Sequence, residues 1–156
     1  RKESSAASDV YKRQLLLKAP KGFSPYCPIN CCFVPWSGNK LFKEIAPEGY
    51  VEGPFVFRRK NSYYFMWSEG SWGNDTYKVA YAMADKVTGP YKRIGTILES
   101  DKNIATGAGH NSVINTPNTD QWYMVYHRRP IANKGRDHRV ICVDKLDFNQ
   151  DGTIKQ

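Results

Sequence analysis

The sequence has no apolar run of about 18 residues, the length a membrane-spanning helix needs, so insertion into a bilayer is not expected. No segment shows sustained helical periodicity, which points to an all-β chain. Cysteine is scarce: Cys27, Cys31, Cys32 and Cys142 are the full set, and three of them crowd into PYCPINCCF. No CxxC pair is matched by a second pair or by histidines at ligand spacing, so a zinc site is not expected. A disulfide framework is equally unconvincing in a chain with this much apolar content. Acidic residues are outnumbered, and the net charge is +8. No basic helix, zinc finger or RNA-binding signature organises that excess, so nucleic acid is not an expected partner. A signal peptide is not visible, because Leu15, Leu16 and Leu17 make too short an apolar region. The chain does not start with Met, and it reads as a piece of a longer protein whose missing start would carry an export signal.

What the sequence has in quantity is aromatic residues, at 13%, with 10 Tyr and 4 Trp. Aromatics suit strands, and they also suit sugars, whose apolar C–H faces stack on rings. Their distribution divides the chain. Residues 1–39 are polar and aperiodic at first, then rich in Pro and Cys, and read as a non-native or irregular leader. Residues 40–156 read as ordered domain. PFVFRR (54–59) and YYFMWS (63–68) form a hairpin around Lys60-Asn61-Ser62. EGSWGND is a loop, TYKVAYAMA (76–84) a third strand and YKRIGTIL (91–98) a fourth. NSVINT (111–116), WYMVYHRR (122–129) and HRVICVDKLDF (138–148) follow, and a further strand begins after the turn in NQDG. Two four-stranded antiparallel units with a period of roughly 50 residues suggest blades of a larger ring.

Four stretches could carry chemistry. In GYVEGPF, Glu52 stands at the entry to a strand, with Gly53 and Pro54 fixing the turn; alone, this is an ordinary solvated Glu. In GAGHNSV, two glycines before His110 let the backbone pass close to something, and the plain alternative is a tight loop with a hydrogen-bonded His. WYMVYHRRP reads as a buried strand with a polar end. In DHRV, Arg139 opens the last long strand.

Taken in order, EGPFVF, YYFMWS, VAYAMADKVTGPYKRIG, GAGHNSV, WYMVYHRRP and HRV resemble glycoside hydrolase family 43, over about residues 43–156. The resemblance implies a five-bladed β-propeller, of which this chain would hold about two blades. It implies hydrolysis of arabinose- or xylose-containing polysaccharides with inversion, by an Asp base, a second Asp that tunes the acid, and a Glu acid. Glu52 matches the Glu of the family's EGP motif, and His110 matches the His of its GHxS motif, which helps hold a water-rich Ca2+ on the propeller axis. Arg139 matches an arginine that reaches the sugar. In such a mechanism the acid must hold its proton near neutral pH, which burial and a neighbouring carboxylate favour. The base sits about 6.5–9.5 Å from it, across room for a water. Neither family Asp has a match in this chain, so the chain alone is expected to be inactive.

Trp72, in the loop SEGSWGND, is a candidate sugar-stacking platform, and Asn111 a candidate pocket residue. Tyr63, Tyr64, Phe65 and Trp67 are expected in the core, and His127 in a structural hydrogen bond. The resemblance suggests a plant-type polysaccharide substrate, a periplasmic or extracellular setting and a monomeric parent protein. Competing readings are a retaining fructosidase-type propeller, a non-catalytic sugar-binding propeller and a structural β-repeat.

Overall fold

The computed structural model describes residue 45, residues 47–135 and residues 137–156. The expected leader, residues 1–39, lies outside them. Seven strands make up the described fold: β1 (Glu52–Arg59), β2 (Ser62–Glu69), β3 (Lys78–Ala84), β4 (Lys92–Leu98), β5 (Ala105–Asn115), β6 (Trp122–Pro130) and β7 (Val140–Leu146). They form two antiparallel sheets, β1-β2-β3-β4 and β5-β6-β7, each a meander in chain order. The all-β expectation and the first four strands are therefore observed.

β2 is one of the two inner strands of the first sheet, and it is buried on both faces. On one face Tyr64 and Met66 join Phe57, Val79 and Tyr81, and this layer continues into Ala108, Val113, Met124 and Tyr126 of the second sheet. On the other face Phe65 and Trp67 pack with Ala80 and Ala82, beneath Ile45, Tyr50 and Tyr91. This explains why YYFMWS carries an almost unbroken apolar run, since a strand covered on both sides has no solvent face to alternate with. The small Ala80 and Ala82 lie opposite Trp67 and Phe65 in the β2–β3 register and leave room for those rings.

The second sheet differs from expectation in two ways. Among the described residues it has three strands, where a further strand was expected to begin after the NQDG turn. After β7 the chain enters a turn in which Gly152 N donates to the Asn149 carbonyl and Thr153 N to Asp151 Oδ1. The tail then runs onto the first sheet: Ile154 N donates to the Tyr81 hydroxyl, and Gln156 Nε2 to the Thr96 carbonyl. Ile154 is buried there and pairs only as an isolated bridge with Phe148. The second difference is that GAGH, read as a loop before the strand NSVINT, lies inside the eleven-residue β5. The pairing of β5 with β6 shifts twice, between Thr106 and Gly109 and between Gly109 and Ser112. Those bulges keep the segment in the sheet while bending it, and they accommodate positive φ at Gly107 and His110.

The first sheet also buries one carboxylate. Glu69 is 6% exposed, accepts a hydrogen bond from Trp67 Nε1 at 3.0 Å, and is paired with Arg93 through both guanidinium nitrogens. Lys78 adds a contact at 3.7 Å. Burial alone would raise this carboxyl, but Arg93, Trp67 and Lys78 together hold it below its ordinary value of 4.5. Its stabilising contribution is therefore full above that value and is lost as pH falls through the lower, folded-state value. Arg93→Met should cost about 1–3 kcal/mol in urea unfolding near neutral pH, and it should flatten the acid limb of stability below pH 4.5. An unchanged acid limb would show that this pair does not set it.

Candidate functional site

Glu52 is the first residue of β1, opposite Ser68 at the end of β2. The next pair in register is Phe55 with Met66, so β1 carries one extra residue between them. Gly53 absorbs this bulge at φ +64°, and Pro54, which has no N–H to donate, is tolerated at such a break. The bulge re-aims the carboxylate away from the ordinary alternation of the strand. Glu52 keeps a side chain 39% exposed.

The second sheet meets the first at this point. His110 has φ +50°, and its backbone N–H donates to Ser68 Oγ at 2.9 Å. Its ring stands beside the carboxylate, with Nδ1 3.7 Å from Glu52 Oε2. Gly53 faces His110 directly: a Cβ there would lie 3.4 Å from both His110 Cα and Cγ. The other carboxylate oxygen, Oε1, accepts a hydrogen bond from the Tyr77 hydroxyl at 2.7 Å. Tyr77 is fully buried. Burial pushes its phenol well above the ordinary value; Ser68 opposes this, and the Glu52 carboxylate adds to it.

His127, paired with Gly109 across β5 and β6, lies against the Tyr77 ring, centroids 6.1 Å apart and planes inclined by 24°. Burial lowers its pKa, the charges of Arg139 and His110 lower it further, and Glu52 opposes them. A structural hydrogen bond was expected of His127; its buried Nε2 has no partner among the described residues, and the ring packs on Tyr77.

Arg139 and Trp72 are brought together, with the guanidinium 5.0 Å from the indole centroid, a cation–π contact. Arg129 Nη1 holds the same loop by the carbonyls of Gly73, at 3.1 Å, and Trp72, at 3.4 Å. The charge of Arg139 reaches both Tyr77 and His127. His110 is exposed, and its neighbour on the strand points the opposite way. Asn111 is buried, and its Nδ2 donates to Met66 Sδ at 3.2 Å, so it is a polar member of the core.

Among the described residues, no three His, Cys, Asp or Glu side chains gather to hold a metal. A calcium ion takes six to eight oxygen ligands, and a histidine beside a lone carboxylate does not supply them. Several aspartates are taken up by other partners: Asp75 by Lys102, Asp120 by Arg59, Asp144 by Tyr126 and Asp147 by Lys145. A concavity of about 400 Å³, lined by Arg59, Tyr64, Phe148 and Gly152 among others, lies at the far end of β1. At the rise of an extended strand it is about 20 Å from Glu52, so it is separate from this site.

Tyr77 and Ser68 were not singled out from the sequence. The available signal was Gly109. A Cβ on Gly109 would lie 2.2 Å from Tyr77 Cε1, so the second glycine of GAGH exists to let that ring lie on the β5 backbone.

The arrangement offers one carboxylate with an oxygen held by a donor and an oxygen facing an exposed imidazole. Known proteins are similar to the chain in sequence. The profile of Glycosyl hydrolases family 43 matches residues 35–154. The chain is 46% identical over 114 residues to a beta-D-galactofuranosidase of Aspergillus niger, covering 72% of this chain and 33% of that protein. It is 28% identical over 109 residues to a beta-xylosidase of Xylanibacter ruminicola, covering 70% and 31%. Among solved structures, an alpha-L-arabinofuranosidase of Clostridium thermocellum superposes with a TM-score of 0.58 at 28% identity, covering 73% of this chain and 38% of that one. The chain thus spans about a third of the length of the curated relatives it matches.

Gly109→Ala should destabilise the protein by about 1–3 kcal/mol in urea unfolding, because the methyl and the Tyr77 ring claim one space. Parent-like stability would mean that the ring has another place to go.

Proposed function

This chain belongs to glycosyl hydrolases family 43, and from that premise we propose that it forms the acid-bearing part of a β-propeller glycosidase. The two sheets are two of its blades. The whole enzyme cleaves O-glycosidic bonds of arabinose-, xylose- or galactofuranose-containing glycans by a single displacement with inversion. Glu52 is the general acid and protonates the leaving oxygen. A carboxylate outside this chain activates the attacking water. Arg139 reaches the sugar, and Trp72 offers it an indole face.

The observation that carries this reading is the placement of Glu52: a carboxylate on a strand bulge, one oxygen tied to Tyr77 at 2.7 Å, the group still open to solvent. A Glu at an ordinary strand start would need neither the bulge nor the buried donor. The names of the relatives support a furanoside or pentoside substrate, since one acts on galactofuranosides, one on xylosides and one on arabinofuranosides. A Ca2+ held mostly by water, with His110 beside it, stays part of this proposal, and no step is assigned to it. His110 orients Glu52 or a substrate hydroxyl.

The test is turnover of aryl β-D-galactofuranoside, α-L-arabinofuranoside and β-D-xyloside by the full-length protein and its Glu52→Gln variant. General acid catalysis contributes typically 10²–10⁴-fold, and the variant should lose about that much on the best substrate. This chain alone should turn over none of them. A variant as active as its parent would remove Glu52 from the mechanism.

A further inference from the structure

Tyr77 stands outside every motif read from the sequence, just before β3, yet the fold commits two other residues to it. Gly109 has no side chain where Cδ1 and Cε1 of the tyrosine ring pass, at 2.7 and 2.2 Å from where a Cβ would sit. His127 covers the ring at 6.1 Å. Between them the ring has one slot, and its hydroxyl ends 2.7 Å from Glu52 Oε1. A phenol that is buried and beside a carboxylate stays protonated, so it can donate to this oxygen of Glu52.

A protonated carboxyl has one O–H and one carbonyl oxygen. With a fixed donor on Oε1, that oxygen accepts, and the proton belongs on Oε2. Oε2 is the oxygen on the exposed side, 3.7 Å from His110 Nδ1. We propose that Tyr77 is a positioning residue for Glu52: its hydroxyl occupies Oε1 and so keeps the transferable proton on Oε2, toward the bound sugar. In the reaction the anomeric C–O bond breaks, the Oε2 proton moves to the leaving oxygen, and water adds to the anomeric carbon, giving its proton to a carboxylate base. Tyr77 keeps its own proton throughout. The proposal rests on the reading of Glu52 as the acid.

The variant is Tyr77→Phe, which retains the ring and its packing on Gly109 and His127 and loses only the hydroxyl. In the full-length protein kcat/KM is measured on two glycosides of the same sugar, one with a dinitrophenolate leaving group that departs without a proton and one with an alkyl leaving group that needs it. Glu52→Gln is measured in parallel. Misplacing a catalytic group by a fraction of an ångström to 1 Å can cost up to 100-fold, so Tyr77→Phe should lose about 10- to 100-fold on the alkyl glycoside. It should stay within about threefold on the dinitrophenyl one, with an unchanged thermal midpoint. Gly109→Ala, which displaces the ring but retains its hydroxyl, should show the same split. If Glu52→Gln shows no split, the acid reading itself fails. If Glu52→Gln splits the two substrates while Tyr77→Phe affects both equally or neither, Tyr77 is only a packing residue and the proposal is overturned.

Discussion

The structure depends on the close passage of β5 across the ends of β1, β2 and β3. Two glycines on facing strands make it possible: Gly53 against His110, and Gly109 against Tyr77. A side chain at Gly109 would collide with the Tyr77 ring, and one at Gly53 would be strained by its φ of +64°. The contact is held by hydrogen bonds between the sheets, from His110 N to Ser68 Oγ and from Asn111 Nδ2 to Met66 Sδ. Everything that bears on Glu52 lies within this junction. The apolar layer behind it, Met66, Val79, Tyr81, Ala108 and Met124, supplies the adhesion; the glycines supply the geometry.

Both sheets bulge where they meet. An unbulged β1 would place Glu52 by simple alternation, and an unbulged β5 would do the same for His110. Extra residues at Gly53-Pro54 and around Gly109-His110 turn these side chains toward each other. A positive φ at a histidine is uncommon, and here it is held by the Ser68 contact and the flanking shifts in register. The buried Tyr77, with His127 packed on its ring, then holds one oxygen of the carboxylate from below.

Much of this was legible in the sequence. The alternation and turn chemistry of residues 54–98 located four strands, because each is bounded by Gly, Asn or Asp and reads on its own. Glu52 and His110 were visible through the glycines beside them. The burial of Asn111 against Met66 was not legible, because the bulge conceals which of two adjacent strand residues turns inward. The GAGH segment looked like a loop because its glycines and positive φ angles are those of a turn, although pairing with β6 keeps it in the sheet. The missing fourth strand of the second sheet depended on where Ile154 docks, a tertiary choice made by Tyr81 and Tyr64 of the other sheet. Tyr77 was hidden for a similar reason: its partner Glu52 lies 25 residues away in sequence, and only the fold joins them.

The most direct measurement is a crystal structure of the full-length protein with a non-hydrolysable furanoside or xyloside bound. The account predicts the glycosidic heteroatom within about 2.6–3.2 Å of Glu52 Oε2, with Tyr77 still on Oε1. A sugar bound instead in the concavity beside Arg59 and Phe148, with Glu52 facing only solvent, would contradict it.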